Sequence, residues 1–161
     1  MLDVLALLAL LQADPKAPTT THVTNQTVQE QLKVAVAKNI IDLPIRTVDV
    51  GGYNVLVAIV NMAKVTGGYT QHDKVTEMYH VISGTGTHTS GGTLVNPKRT
   101  AAGVAGPGLH GDDIKGGVSR KVGPGDVIII PPNVPHAWSE VPSPIVYLDI
   151  RIDPDQVLKL K

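Results

Sequence analysis

Two stretches decide the fold: residues 70–84, TQHDKVTEMYHVISG, and residues 125–138, GDVIIIPPNVPHAW. Successive side chains of an extended chain point to opposite faces. A strand starting at Glu77 therefore shows Glu77, Tyr79 and Val81 on one face and Met78, His80 and Ile82 on the other. Thr70 and His72 share a face on the segment before it, with Asp73 to Thr76 supplying the turn. In the second stretch Val127 to Ile130 reads as a short apolar strand ended by Pro131, and His136, Trp138 and Glu140 lie together on the next one.

Outward from these stretches the same period-two pattern recurs. It predicts strands over Ile45 to Val50 and Tyr53 to Met62 around a Gly51-Gly52 hairpin turn. Further strands are expected over Gly86 to Thr89, Thr93 to Val95, Val118 to Val122, His136 to Val141 and Ile145 to Ile152. One helix is predicted, over Thr27 to Lys38. Val28, Leu32, Ala35 and Val36 have helical spacing, and Thr27 with Glu30 forms a capping-box pattern. Asn96 to Gly117, rich in Gly and Pro, is expected to be a long loop over the barrel mouth. Many short strands with one early helix indicate an antiparallel sandwich or barrel.

The composition narrows the function. The chain has 161 residues, enough for one compact domain, with 14 basic and 14 acidic side chains. No basic cluster exists to bind nucleic acid, and the few aromatic residues make base stacking a poor reading. Without cysteine there are no disulfides, thiolate metal sites or cysteine nucleophiles. The apolar run Val4 to Leu11 is too short to span a bilayer, which needs about 20 residues. It reads either as an export signal without its usual basic flank or as a helix that packs on the domain or on another copy, the contact with another copy being the expected one. The expectations that follow are a homodimer and a periplasmic or secreted location in preference to a cytoplasmic one. Residues 1–24 are expected to be this segment with its linker, and 25–161 a single domain.

Together the two stretches resemble the paired motifs of the cupin superfamily. The first motif runs His-x-His, three or four residues, Glu, six residues, Gly; here His72, Glu77 and Gly84 match it, with Thr70 in place of the first histidine. The second runs Gly, five residues, Pro, one residue, Gly, two residues, His; Gly125, Pro131 and His136 match it, with Asn133 in place of the inner glycine. Asn is a reasonable replacement because it tolerates positive φ. The resemblance covers roughly residues 45 to 152 and is closest to small single-domain bacterial cupins. It implies an all-β fold: a cupin jelly-roll β-barrel (double-stranded β-helix) with an N-terminal helical extension.

If His72, Glu77 and His136 all point inward, they form a set of two imidazoles and one carboxylate that suits a divalent transition metal: Fe, Mn, Ni, Cu or Zn. The plainer reading keeps them as hydrogen-bonded core residues. Thr70 and Trp138 are candidate ligand contacts, with Trp138 expected near the mouth. Tyr79, on the face of Glu77, is either a general base, as tyrosines near the metal are in some cupin lyases and isomerases, or a core tyrosine with a bonded hydroxyl. His80 is expected on the outer face, while His88 and His110 are placed in or beside the long loop. Glu77 is the only acid expected in the cavity, which disfavours glycosidase chemistry with paired carboxylates. The expected function is a metal-binding cupin that acts on or binds a small oxygen-rich ligand inside the barrel, as a dioxygenase or a lyase/isomerase. The alternative is a non-catalytic small-molecule binding module with a vestigial metal site.

Overall fold

The computed structural model describes residues 20–66 and 68–161. The run Val4 to Leu11, and with it the expected contact to a neighbouring copy, lies outside the described residues. The chain runs α1 (Asn25–Ala37), β1 (Asp42–Asp49), β2 (Asn54–Met62), β3 (Tyr69–His72), β4 (Thr76–Ser83), β5 (Gly86–Ser90) and β6 (Thr93–Val95). It continues through β7 (Lys98–Gly103), β8 (Gly106–Gly111), β9 (Asp113–Lys115), β10 (Val118–Val122), β11 (Val127–Ile130), β12 (His136–Glu140) and β13 (Ile145–Asp153). Among the described residues no helix is long and apolar enough to cross a membrane.

The helix starts two residues before the expected position. Thr24, not Thr27, is the cap: its side chain accepts a hydrogen bond from the Thr27 amide, while Glu30 instead accepts one from the Gln26 side chain. Serine and threonine hydroxyls are nearly equivalent caps, so which of two threonines takes the role depends on where the helix packs. Val28 and Ala35 are buried and Leu32 is half-buried, but Val36 is 59% exposed, so the apolar stripe is narrower than its spacing implies.

Two antiparallel sheets form the barrel, one in the order β1-β2-β13-β4-β11 and the other β10-β5-β12-β3-β8-β7. A third, small sheet pairs β6 with β9. The Gly51-Gly52 turn is present: both residues have positive φ, and Asp49 accepts hydrogen bonds from both their amides. Between the sheets Val60, Val81, Val122, Ile130, Trp138, Ile145 and Tyr147 form one apolar cluster with Tyr79. On the outer face of the first sheet α1 packs Val28 against Ile59 and Val146. Burying such side chains stabilises each by about 1.5–3 kcal/mol.

The expected loop over residues 96–117 is instead mostly sheet: β7 and β8 form a hairpin and β9 follows. Two of its glycines, Gly108 and Gly111, mark close backbone approach rather than irregular chain. A Cβ on Gly108 would lie 2.2 Å from the Gln71 carbonyl oxygen on paired strand β3. Glycine in a strand can signal such a contact as readily as a turn. The hairpin tip, residues 103–106, still walls the barrel cavity.

Candidate metal centre

Three strands bring the motif residues together. His72 ends β3, Glu77 lies near the start of β4 and His136 opens β12. The join between them is fixed by backbone: the Asn133 amide donates to the His72 carbonyl at 2.7 Å, which needs the left-handed turn that Asn133 makes at φ 63°. Gly84 closes the first motif at φ 79°, where a Cβ would meet the Pro144 carbonyl at 2.1 Å.

His136 Nε2 lies 3.0 Å and His72 Nε2 3.5 Å from Glu77 Oε2. One ligand atom from each residue falls within 4.8 Å of the others. Glu77 and His136 are buried, and His72 is partly open to the cavity. His136 Nδ1 sits 3.0 Å from the Val134 carbonyl, which can only accept, so Nδ1 carries the proton and donates. In a neutral imidazole that leaves a lone pair on Nε2 facing a carboxylate oxygen. Two acceptors 3.0 Å apart repel unless a positive charge lies between them, either a proton or a metal ion. Donors bound to one ion at about 2.0–2.2 Å and at right angles stand about 3 Å apart, so the spacing suits a metal.

The electrostatics call for the same positive charge between His136 and Glu77. Burial pushes His136 down, but the hydrogen bond and charge of Glu77 prevail and raise it above its ordinary value. Burial pushes Glu77 up, but His136, His72 and Arg151 outweigh it and hold the carboxyl below the usual range. His72 is lowered, chiefly by burial, with Glu77 opposing.

Tyr79 donates its hydroxyl to Glu77 Oε2 at 3.2 Å. Burial and then the Glu77 charge push that hydroxyl well above the ordinary tyrosine value. Thr70 lines the cavity and pairs in register with His136. Trp138 also lines it, but at 7% exposure it belongs to the core and not to an open mouth, with its indole N–H donated to the Tyr147 hydroxyl at 3.2 Å. His80 is exposed on β4, and His110 on β8.

His88 is not in or beside a loop. It is 4% exposed on β5, with its ring stacked on His136 (centroids 6.2 Å, interplanar angle 25°) and edge-on to Tyr79 and Trp138. Burial holds it neutral, down at about 4, and its Nε2 has no hydrogen-bond partner. The Gly86-Thr87-His88 alternation carried that signal.

Glu77 is not the only cavity acid. Asp42, Asp149 and Arg151 line the same space. Arg151 donates Nε to Glu77 Oε1 at 3.3 Å and Nη2 to Asp149 at 2.6 Å, and it pairs with Asp42 through both terminal nitrogens. The extra carboxyls are thus bound to a guanidinium rather than free to act as an acid–base pair. Burial, then the Glu77 charge, pushes Asp149 well above the usual carboxylate range despite Arg151.

No protein-family model and no curated protein matches the chain. Solved structures do. A Bacillus halodurans protein, BH2720, aligns over 88% of each chain at TM-score 0.53 and 14% identity. A Klebsiella pneumoniae protein described as having a double-stranded β-helix domain aligns over 71% of this chain and 80% of its own, at TM-score 0.41 and 18% identity. A Bacteroides fragilis cupin aligns over 66% of this chain and 72% of its own, at TM-score 0.38 and 17% identity. Two facing antiparallel sheets, with both motif histidines and the motif glutamate meeting in the space they enclose, give the chain the double-stranded β-helix fold that the resemblance to cupins implies, a fold it shares with the Bacillus halodurans protein.

Proposed function

We propose that the barrel binds a divalent transition metal through His72, Glu77 and His136 and acts on a small oxygen-bearing ligand held in the same cavity. The observation that carries this reading is the His136 Nε2 to Glu77 Oε2 approach of 3.0 Å with Nδ1 already spent on Val134, an arrangement that needs a positive charge between the two atoms, which a metal ion held with His72 would supply. A divalent ion bound there would supply Lewis-acid polarisation of a ligand oxygen. Val134 orients the His136 ring, and Arg151 and Tyr79 hold the two oxygens of Glu77. Such second-layer bonds fix the direction of metal ligands and tune their basicity. Thr70 and Trp138 would contact the ligand from the cavity wall.

Dioxygenase chemistry is the first class to assay. In the second, lyase or isomerase chemistry, Tyr79 is the residue to handle the proton: its phenol, held protonated against Glu77, is poised to donate first. A dimer is part of the proposal, supported by Val127 and Ile129 on edge strand β11, which are 56% and 62% exposed.

The test is metal content after reloading with Fe, Mn, Ni, Cu or Zn, for the native protein beside His72→Ala and His136→Ala. About one equivalent is expected in the native protein and less than about a tenth in the His136→Ala variant. Less than a tenth of an equivalent in the native protein overturns the proposal. A specific observation supports the metal-free alternative, a binding module: a proton on His136 Nε2 would also satisfy the 3.0 Å contact, and the pKa of His136 is raised. That reading predicts ligand binding unchanged by chelators.

A further inference from the structure

Arg151 looks like a receptor for an anionic substrate, yet its donors are already spent. A guanidinium has five N–H groups. Here they meet five acceptors: Glu77 Oε1, both oxygens of Asp42, Asp149 Oδ2 and the Val104 carbonyl. Arg151 is 2% exposed, and it is the only lysine or arginine among the described residues that line the cavity. Beyond the three motif residues, the space of about 330 Å³ is therefore bounded by two further carboxyls, hydroxyls and aliphatic side chains such as Val60, Met62 and Val104. The buried Asp149 Oδ1 has no hydrogen-bond partner and can meet a ligand hydroxyl, which both donates and accepts.

We infer that the ligand is a small chelating molecule whose body beyond its chelating group is apolar or hydroxylated and carries no second anionic group. The inference rests on the metal-centre reading, because the metal is what receives the chelating end. A second carboxylate or a phosphate would have to be buried beside Asp42 and Asp149 with no cation to meet it, or would have to take Arg151 from partners it already holds.

The test uses the full chain loaded with Zn²⁺, which binds without redox turnover. Trp138, the only tryptophan, stands in the cavity wall and supplies the fluorescence signal. The probes are 2-oxopentanoate and 2-oxoglutarate, identical at the chelating end but distally a methyl in one and a carboxylate in the other. The monoacid is expected to bind at least tenfold more tightly. In Asp42→Ala, which frees N–H groups on Arg151, the diacid should gain and the ratio should fall below about threefold. Equal or tighter binding of the diacid to the native protein overturns the inference, as does binding of neither acid to the zinc-loaded protein. Zinc occupancy is measured separately, so that the two failures are told apart: if zinc does not bind, the metal-centre reading fails and the inference falls with it, whereas bound zinc with the diacid favoured overturns the inference alone.

Discussion

Replacing Arg151 by Met keeps much of the side-chain volume and removes the charge. The guanidinium is 2% exposed, and its ion-pair partners are Glu77, Asp149 and Asp42. Removing one partner of a buried ion pair costs about 3–5 kcal/mol, because the remaining charge is left without compensation. Domains of this kind are stable by about 5–15 kcal/mol, so Arg151→Met should lose a large fraction of the total. At about 2–4 °C per kcal/mol, the melting temperature should fall by about 6–20 °C. The sign of the pH dependence follows from Glu77. Its carboxyl is held below its ordinary value partly by Arg151, so the native protein loses that stabilisation as pH falls, and the variant has less of it to lose. Urea denaturation of both proteins without metal, at pH 7 and at about pH 3.5, below the ordinary carboxylate value, should therefore show a deficit that shrinks on acidification. A deficit below about 1 kcal/mol at pH 7, or one that grows on acidification, would refute the argument that Arg151 is the counter-charge of this cavity.

Three further outcomes follow from the same geometry. His88 is held neutral down to about 4 from an ordinary 6.5, so the unfolded chain takes up a proton between those values that the folded chain refuses. Stability should fall by about 3 kcal/mol from this group as pH drops from 6.5 to 4, and His88→Asn should flatten that part of the denaturation profile; an unchanged slope would count against it. Because the pKa of His136 is raised above its ordinary value, a proton competes with metal for its Nε2. Affinity should climb with rising pH through that titration, with proton release on binding, measured by calorimetry in buffers of different ionisation enthalpy. Gly108→Ala places a Cβ against the Gln71 carbonyl and should cost about 1–3 kcal/mol, whereas Gly103→Ala, with nothing within 4 Å, should be near neutral in the same melts.

Most strand positions were legible because alternation reports which face is covered. Val118 to Val122, Val127 to Ile130 and Thr93 to Val95 fall where the sequence puts them, and the motif residues His72, Glu77 and His136 lie on strands whose inner faces converge. The hairpin of β7 and β8 was not legible. Two of its glycines, Gly108 and Gly111, lie close to the backbone of Gln71 and Val95, and a glycine chosen for closeness looks the same in a sequence as one chosen for a turn. His88 was obscured for a related reason. Gly84 and Gly86 precede it and Gly91-Gly92 follow it, and only the pairing of β5 with β12 puts its ring beside that of His136.

The last strand explains why the charged half of the site stayed hidden. IVYLDIRID offers two rows: Leu148, Ile150 and Ile152 on one face, and Tyr147, Asp149, Arg151 and Asp153 on the other. Hydrophobicity alone would turn the aliphatic row inward. The fold does the opposite, leaving the aliphatic row half-buried and burying all four members of the polar row. That choice is tolerable because the row is paired within itself and with its neighbours: Arg151 with Asp149, Asp42 and Glu77, and Asp153 with the Val157 and Leu158 amides. An aliphatic row of similar volume would often be as stable or more so, because desolvating a buried ion pair offsets its attraction. Retaining charge where apolar packing would serve is the mark of a surface shaped for something other than stability. On this strand, that surface is the wall that faces the three motif residues.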